Sequence, residues 1–280
     1  MPGHGNHWEA LYSLSDYVQE KIKRDIEKSL LICRADCVDV QNGTDRTEQV
    51  TCLRWGAKQF ANQILVVSNS AKQSNFLFSS YPVALDGVDI DVAITSVNPW
   101  EYCIEGWIHG EVTSESIPIS FFDTMFFTGS ATFCKGDVVH YRLAGLAYSL
   151  RPIQTQFFEI INGDLWELER KRRLEAGESE EESNRPVKMH MAGAAIFLPR
   201  SDDQCDEAEF QGVIKTLDVF EYDEQKIYRM DIVLMRPGNE EFCLPVYASE
   251  RVLDGYIPKL GEDVEGVLWV QGRRPETDGC

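Results

Sequence analysis

Large apolar residues occupy every second position in two stretches of this chain. The first stretch runs from Val88 to Ile94, and the second runs from Tyr228 to Leu234. A β-strand places successive side chains on opposite faces of its sheet, so a period of two is typical of a strand with one buried face. We therefore predict a half-buried strand at each place, and we expect the apolar set of the second strand to face the core.

The two strands belong to segments that share an order of signals. In each segment an apolar strand containing a proline is followed by a connector, a Gly-acidic turn and a long strand that ends on Arg-Pro. The matched residues are Pro118 and Pro245, Asp137 and Glu262, and Pro152 and Pro275. The offset between matched residues changes only from 127 (118 to 245) to 123 (152 to 275). We interpret residues of about 86–152 and about 210–275 as a diverged internal duplication.

Each of these units holds four or five short strands, with a helical or coiled connector before the last one. In strand order and spacing the units resemble the OB-fold, a small five-stranded barrel, and an SH3-like barrel is the alternative. The resemblance covers about half of the chain and implies a mainly β protein with two OB-like barrels. Because such barrels carry many unrelated functions, the resemblance implies a fold and does not by itself specify an activity.

The remaining segments carry different patterns. From Trp8 to about Ile32, apolar residues recur every three or four positions, which predicts an amphipathic helix. We divide the chain into this helix (1–34), a strand-rich region containing the first barrel (35–165, core about 86–152), a charged helix and acidic linker (166–190), and the second barrel (191–280). The strands before residue 86 are interpreted as an appendage of the first barrel.

Charge narrows the classes of partner. The chain has 46 acidic and 27 basic residues, for a net charge of −19. A polyphosphate backbone is attracted by clustered Lys and Arg, so this balance disfavours binding of nucleic acid and favours a protein partner, including a basic one. The one dense basic cluster, Arg170–Arg173, lies among glutamates and is interpreted as a solvated helix face.

Location is inferred from the apolar runs and the cysteines. No apolar run approaches the roughly 20 residues that span a bilayer, and the N-terminus lacks the pattern of a secretory signal. The eight cysteines are scattered, which indicates reduced thiols. We expect a cytoplasmic protein that does not insert into membranes.

Motifs for catalysis and for cofactors are absent from the sequence. There is no Gly-x-Ser-x-Gly, no phosphate-binding Gly-x4-Gly-Lys and no His-Glu-x2-His. Cys33, Cys37 and Cys52 provide at most three thiolates, whereas a structural zinc site usually has four ligands. We expect no metal, no cofactor and no enzymatic activity, although an enzyme with a site built from loops stays a third hypothesis.

Binding residues are sought among aromatic and basic side chains, because bases and other ligands stack on exposed rings beside cations. The candidates are Trp100, Tyr102 and Trp107 in the first unit and Tyr228, Arg229, Trp269, Arg273 and Arg274 in the second. The alternative is that these rings are core residues of small barrels. The leading hypothesis is a non-enzymatic adaptor that binds another macromolecule through the OB-like barrels, with protein preferred as the partner. The alternative is a protein that binds single-stranded nucleic acid through the aromatic residues on the barrel faces. The sequence does not specify the ligand or the oligomeric state.

Overall fold

The fold is mainly β, with a helix near the N-terminus. The computed structural model describes residues 7–12, 15–38, 47–69, 74–100, 103–114, 116–154, 157–200, 206–238 and 240–275. The N-terminal part contains α1 (Ser15–Lys28), β1 (Leu30–Val38), β2 (Thr47–Gly56), β3 (Phe60–Asn69) and β4 (Ser74–Ala84). The first unit contains β5 (Val88–Pro99), β6 (Gly106–Val112), β7 (Ile117–Asp123) and β8 (Val138–Pro152).

A segment with short elements separates the first unit from the second. It contains β9 (Phe157–Ile160), α2 (Asp164–Glu175), α3 (Glu180–Ser183), β10 (Val187–His190) and β11 (Ile196–Pro199). The second unit contains β12 (Glu207–Tyr222), β13 (Gln225–Met235), β14 (Phe242–Ser249), α4 (Glu250–Leu253) and β15 (Asp263–Arg273). The stretch predicted as an acidic linker therefore holds one turn of helix, α3, because Ser179 and Glu182 form a capping box at its start.

The predicted N-terminal helix is shorter than its apolar periodicity suggested. A 3-10 turn covers His7–Ala10, α1 ends at Lys28, and Ile32 lies in β1, where the neighbouring Leu31 pairs with Leu53 of β2. The run from Leu30 to Cys33 consists of apolar residues that also suit a strand, and pairing with β2 decides the outcome. Strands β1 to β4 form a four-stranded antiparallel sheet in chain order.

The two units have the same strand pairings. In the first, β5 pairs with β6, β6 with β7, and β8 returns to pair with β5. In the second, β12 pairs with β13, β13 with β14, and β15 returns to pair with β12. The backbone contacts of the Gly-acidic turns also match, since Gly136 and Asp137 bond to Ile94 as Gly261 and Glu262 bond to Ile214.

Each unit is completed by the last strand of the other. Strands β8 and β15 pair with each other in antiparallel orientation, and each uses one of its two edges for this pairing. On its second edge β8 passes from β5 to a parallel pairing with β14, and β15 passes from β12 to a parallel pairing with β7. In each unit the hydrogen-bonded strands consequently follow a closed order. These orders are β5-β6-β7-β15-β8, where β8 pairs again with β5, and β12-β13-β14-β8-β15, where β15 pairs again with β12.

The crossing of β15 onto β7 depends on a residue without a side chain. A Cβ at Gly272 would lie 2.2 Å from a ring carbon of Phe121, which is fully buried. Glycine therefore allows the two strands to approach at the place where one unit meets the last strand of the other. The apolar interior is continuous across both units, and the expected core face of β13 is confirmed by the burial of Met230, Ile232 and Leu234.

The N-terminal sheet packs over the junction of the two units, and so contacts more than the first unit. A second apolar cluster joins residues of β1 to β4 with Phe122 of the first unit and with Tyr247 and Trp269 of the second. The side-chain amide of Gln271 on β15 accepts a hydrogen bond from the Ala84 N–H at 3.0 Å and donates one to the Pro82 carbonyl at 2.9 Å. It therefore provides partners for two backbone groups of β4.

A buried cation fixes α1 to the second unit. The Lys21 ammonium is fully buried, 2.8 Å from an Asp25 oxygen and 3.2 Å from an Asp223 oxygen. Four aromatic rings lie within 5.8 Å of it: Trp8, Tyr12, Trp55 and Tyr222. Burial opposes ionisation of Asp223, but the bond from Tyr12 and the charges of Lys21 and Arg24 hold its pKa below the ordinary value.

Candidate binding cleft

An open cleft of about 790 Å³ lies on the second unit, where α4 and the following connector leave the end of β8 uncovered. Its walls come from β8, β11, β12, β15 and the connector between β14 and β15. The lining residues are Ser149, Leu150, Arg151, Gln154, Ile196, Leu198, Glu209, Phe210, Gln211, Val252, Leu253, Asp254, Tyr256, Glu265 and Gly266. This volume is within the range of small-molecule and peptide sites.

The connector is shaped by an abrupt end to α4. Asp254 and Gly255 both have positive φ, 45° and 81°, so the chain turns out of the helix after one turn. The Tyr256 hydroxyl then donates to a Glu262 oxygen at 2.6 Å, which fastens the connector to the Gly-acidic turn. This bond also lowers the pKa of Glu262.

The apolar part of the cleft is provided by the interior of the unit. Leu150, Phe210, Val252 and Leu253 are buried in the continuous core and also line the cleft. At the rim Leu198 on β11 is 58% exposed, although it stands directly beside Glu209 in the register of β11 and β12. A ligand with large apolar groups could therefore cover surface that water now contacts.

The charged part of the cleft is mainly acidic. Glu209, Asp254 and Glu265 contribute three carboxylates, and Arg151 contributes the one guanidinium among the lining residues. Arg151 lies 2.9 Å from Glu265, so that pair is internally compensated. Glu209 and Asp254 are exposed, and they give the cleft a negative balance beside its apolar surface.

The binding candidates predicted from sequence lie elsewhere. Trp269 is fully buried, with its ring stacked 3.6 Å from His7 and its indole N–H donated to Asp206 at 2.8 Å. Arg273 is buried and donates to the Leu85 carbonyl, while Arg274 contacts Thr128. These side chains hold parts of the fold together, and Trp269 presents no free ring face.

The other candidates are also engaged within the fold. Arg229 is paired with Asp86 at 2.9 Å and with Asp231 at 3.2 Å. Trp100 and Trp107 are half-buried and meet edge to face at 5.1 Å. Tyr228 packs against the continuous core. Tyr102 lies outside the described residues, and none of the seven described candidates lines the cleft.

The cleft residues were missed because the sequence analysis searched for aromatic residues beside cations. The available signal was the connector after β14, which carries Asp254-Gly255 and two apolar residues, Ile257 and Leu260, that remain 66% and 63% exposed. An Asp-Gly pair predicts a turn, and apolar residues exposed beyond it mark a connector that does not pack fully onto the strands of its unit. Glu209 had no local signal, because its position depends on the pairing of β11 with β12.

Comparisons with known proteins do not extend these observations. No protein-family model, curated protein or solved structure matches the chain. Within the described ranges, no group of three or more His, Cys, Asp or Glu side chains could hold a metal ion. No helix in this part of the chain is long and apolar enough to cross a membrane.

Proposed function

We propose that this protein is a non-enzymatic adaptor that holds a segment of a partner protein in the cleft of the second unit. The segment carries a Lys or Arg next to large apolar side chains. The observation that carries this proposal is the combination of exposed carboxylates, Glu209 and Asp254, with an apolar floor of Leu150 and Phe210 in one open cleft.

The chemistry of the cleft supports such a partner. Because the floor residues are already buried, the gain comes from the apolar groups of the partner and from Leu198 at the rim, at about 25 cal/mol per Å² of apolar surface removed from water. The carboxylates at the rim attract a cation and speed its association, and the overall charge of −19 acts in the same direction. Single-stranded nucleic acid would bring phosphates to an acidic rim, so the cleft favours protein over this alternative.

We also infer that the two units are OB-like barrels that arose by duplication. Support comes from the shared pairing order, from the parallel contact of each third strand with a long strand, and from the matched Gly-acidic turns. In this interpretation β8 and β15 each serve as the fourth strand of their own barrel and as the fifth strand of the other. The cleft then belongs to the barrel whose connector is open.

Selection of peptides tests the proposal. A display library of short random peptides is selected on the immobilised full chain, and the enriched peptides are titrated by fluorescence anisotropy. We expect enriched peptides to combine Lys or Arg with Leu, Ile or Phe. The Glu209→Gln/Asp254→Asn variant should bind them about three- to tenfold more weakly, as expected when charges at the rim of an interface are removed.

The matched control removes two carboxylates from elsewhere on the surface. Glu27 and Glu111 are exposed and do not line the cleft. Glu27→Gln/Glu111→Gln has the same net charge as the cleft variant, and it should bind like the unmodified chain. If both variants bind the peptides equally weakly, the effect comes from net charge and not from the cleft. If the cleft variant binds as tightly as the unmodified chain, the peptides bind at another site. Displacement of the peptides by a mixed-sequence single-stranded oligonucleotide at physiological salt would favour nucleic acid instead.

A further inference from the structure

The segment between the two units has secondary structure but little interior of its own. It comprises β9, α2, α3 and β10, and across residues 157–190 the side chains described as buried are those of Arg173 and Ser183. Two-stranded ribbons such as β9 with β10, and helices as short as α2, are marginally stable without packing. Some other surface should therefore cover the apolar residues of this segment.

Polar contacts hold the segment in shape from within. Arg173 donates to the Arg185 carbonyl at 2.7 Å, and Arg170 donates to the Asn184 side chain at 2.6 Å. These bonds fix the side of α2 that faces α3. They leave the opposite side of α2 open, and the apolar residues of that side are Leu165, 44% exposed, and Leu168, 67% exposed.

The open side of α2 has a polarised charge pattern. Leu165, Leu168 and Arg172 follow one another at spacings of three and four, so they form one stripe along the helix. Asp164 lies at the N-terminal end of the stripe, and Lys171 and Arg172 lie toward its C-terminal end. Arg172 donates to Glu169 at 2.7 Å and Lys171 lies 3.9 Å from Glu175. Both cations are exposed, so a carboxylate of another molecule can exchange with these partners. The helix dipole favours this distribution of charge, but it does not account for the exposure of two leucines.

We propose that α2 is a self-association surface, which pairs antiparallel with α2 of a second copy of this chain about a two-fold axis at Leu168. In this arrangement Leu168 packs on Leu168 of the other copy. Asp164, four residues before it, faces Arg172, four residues after it, and the same contact occurs twice by symmetry. The pairing covers both leucines and places opposite charges together.

The charge of the whole chain supports this choice of surface. Two copies of a chain with net charge −19 repel each other over most of their surfaces. Of the basic run Arg170–Arg173, Lys171 and Arg172 are the exposed members, and pairing through α2 brings these two cations to the contact. A contact built on one short helix is small, so we expect a weak dimer with a dissociation constant of about 10–100 µM.

Sedimentation equilibrium of the full chain over a range of concentrations tests the proposal. We expect reversible dimerisation that Leu168→Glu weakens at least tenfold. Leu260→Glu is the matched control, since Leu260 is 63% exposed in the connector of the second unit and receives the same substitution. A chain that stays monomeric at millimolar concentration, or a dimer unaffected by Leu168→Glu, would overturn the proposal.

A charge exchange distinguishes the predicted pairing from a general loss of structure. Asp164→Arg and Arg172→Asp should each weaken dimerisation, because each places like charges opposite one another at both symmetric contacts. The double variant Asp164→Arg/Arg172→Asp restores opposite charges across the axis and should recover dimerisation to within about threefold of the unmodified chain. Failure of the double variant while its helical circular dichroism is unchanged would contradict the antiparallel pairing.

Discussion

The two units share their strand pairings but differ in the connector that precedes the last strand. In the first unit the connector between β7 and β8 contains two 3-10 turns, and Phe126 and Phe127 within it are buried. In the second unit the connector between β14 and β15 contains α4 and then exposes Ile257 and Leu260. The closed connector supports the N-terminal sheet, and the open one forms a wall of the cleft.

The carboxylates at the starts of the two connectors also differ in burial and in partners. Asp123 ends β7, is 1% exposed, and accepts bonds from the Met125 amide and from the hydroxyls of Ser130 and Tyr141. The offset of 127 places Glu250 at the matched position, where it is exposed and pairs with Lys226 at 3.2 Å. The buried Asp123 therefore bonds to residues of its own connector, whereas the exposed Glu250 bonds to β13.

The largest expected effect comes from removing the Asp123 carboxylate, and removal of Glu250 is the comparison. Asp123→Ala leaves three buried donors without their acceptor, and we expect a loss of about 3–5 kcal/mol in the free energy of unfolding. Glu250→Ala removes a half-exposed ion pair and should change it by less than about 0.5 kcal/mol. Urea denaturation followed by tryptophan fluorescence measures both. Similar losses of stability in the two variants would contradict the interpretation that Asp123 holds its connector closed while Glu250 does not.

The pH dependence of two acidic residues should differ in sign. Burial raises the pKa of Asp123, so the folded chain keeps a proton that the unfolded chain releases near pH 3.9. The stability contributed by Asp123 therefore falls as the pH rises from this value through the raised pKa. The bond from Tyr256 lowers the pKa of Glu262, whose contribution is present above about pH 4.3 and is lost as the pH falls through the lowered pKa.

Comparison of Asp123→Asn and Glu262→Gln with the unmodified chain measures these slopes. We expect the stability of the unmodified chain relative to Asp123→Asn to decrease as the pH rises above about 3.9, because the amide does not titrate. Relative to Glu262→Gln, its stability should increase as the pH rises toward about 4.3 and then remain level. Urea denaturation at several pH values provides both differences. Slopes of the same sign would show that the two connectors have similar electrostatic environments.

A much smaller effect than that of Asp123→Ala is expected for the bond between Tyr256 and Glu262, which helps to fasten the open connector to its Gly-acidic turn. Tyr256→Phe removes the hydroxyl that donates to Glu262 and should lower the free energy of unfolding by less than about 1 kcal/mol, since both groups remain accessible to water. The same denaturation assay measures it. A loss as large as that of Asp123→Ala would mean that the second connector is held as firmly as the first.

Part of this architecture could be predicted from the sequence because it depends on local patterns. The alternation from Tyr228 to Leu234 reports which face of β13 is buried, and the structure confirms it. The Gly-acidic turns at Gly136 and Gly261 immediately precede the last strand of each unit. Glycine is favoured there because both positions adopt positive φ, so the turns can be recognised in the sequence. Such signals need only neighbouring residues along the chain.

Other features were decided only by the tertiary structure. The pattern around Trp269 indicates burial or stacking equally well. Its burial is decided by distant segments, because His7, the N-terminal sheet and Phe122 of the first unit cover its ring. The open cleft depends on the passage of β8 from β5 to β14 and on the pairing of β11 with β12. Periodicity shows that a face is apolar but not which distant segment packs on it. Contacts between residues far apart in sequence therefore determined the surface that remains available for binding.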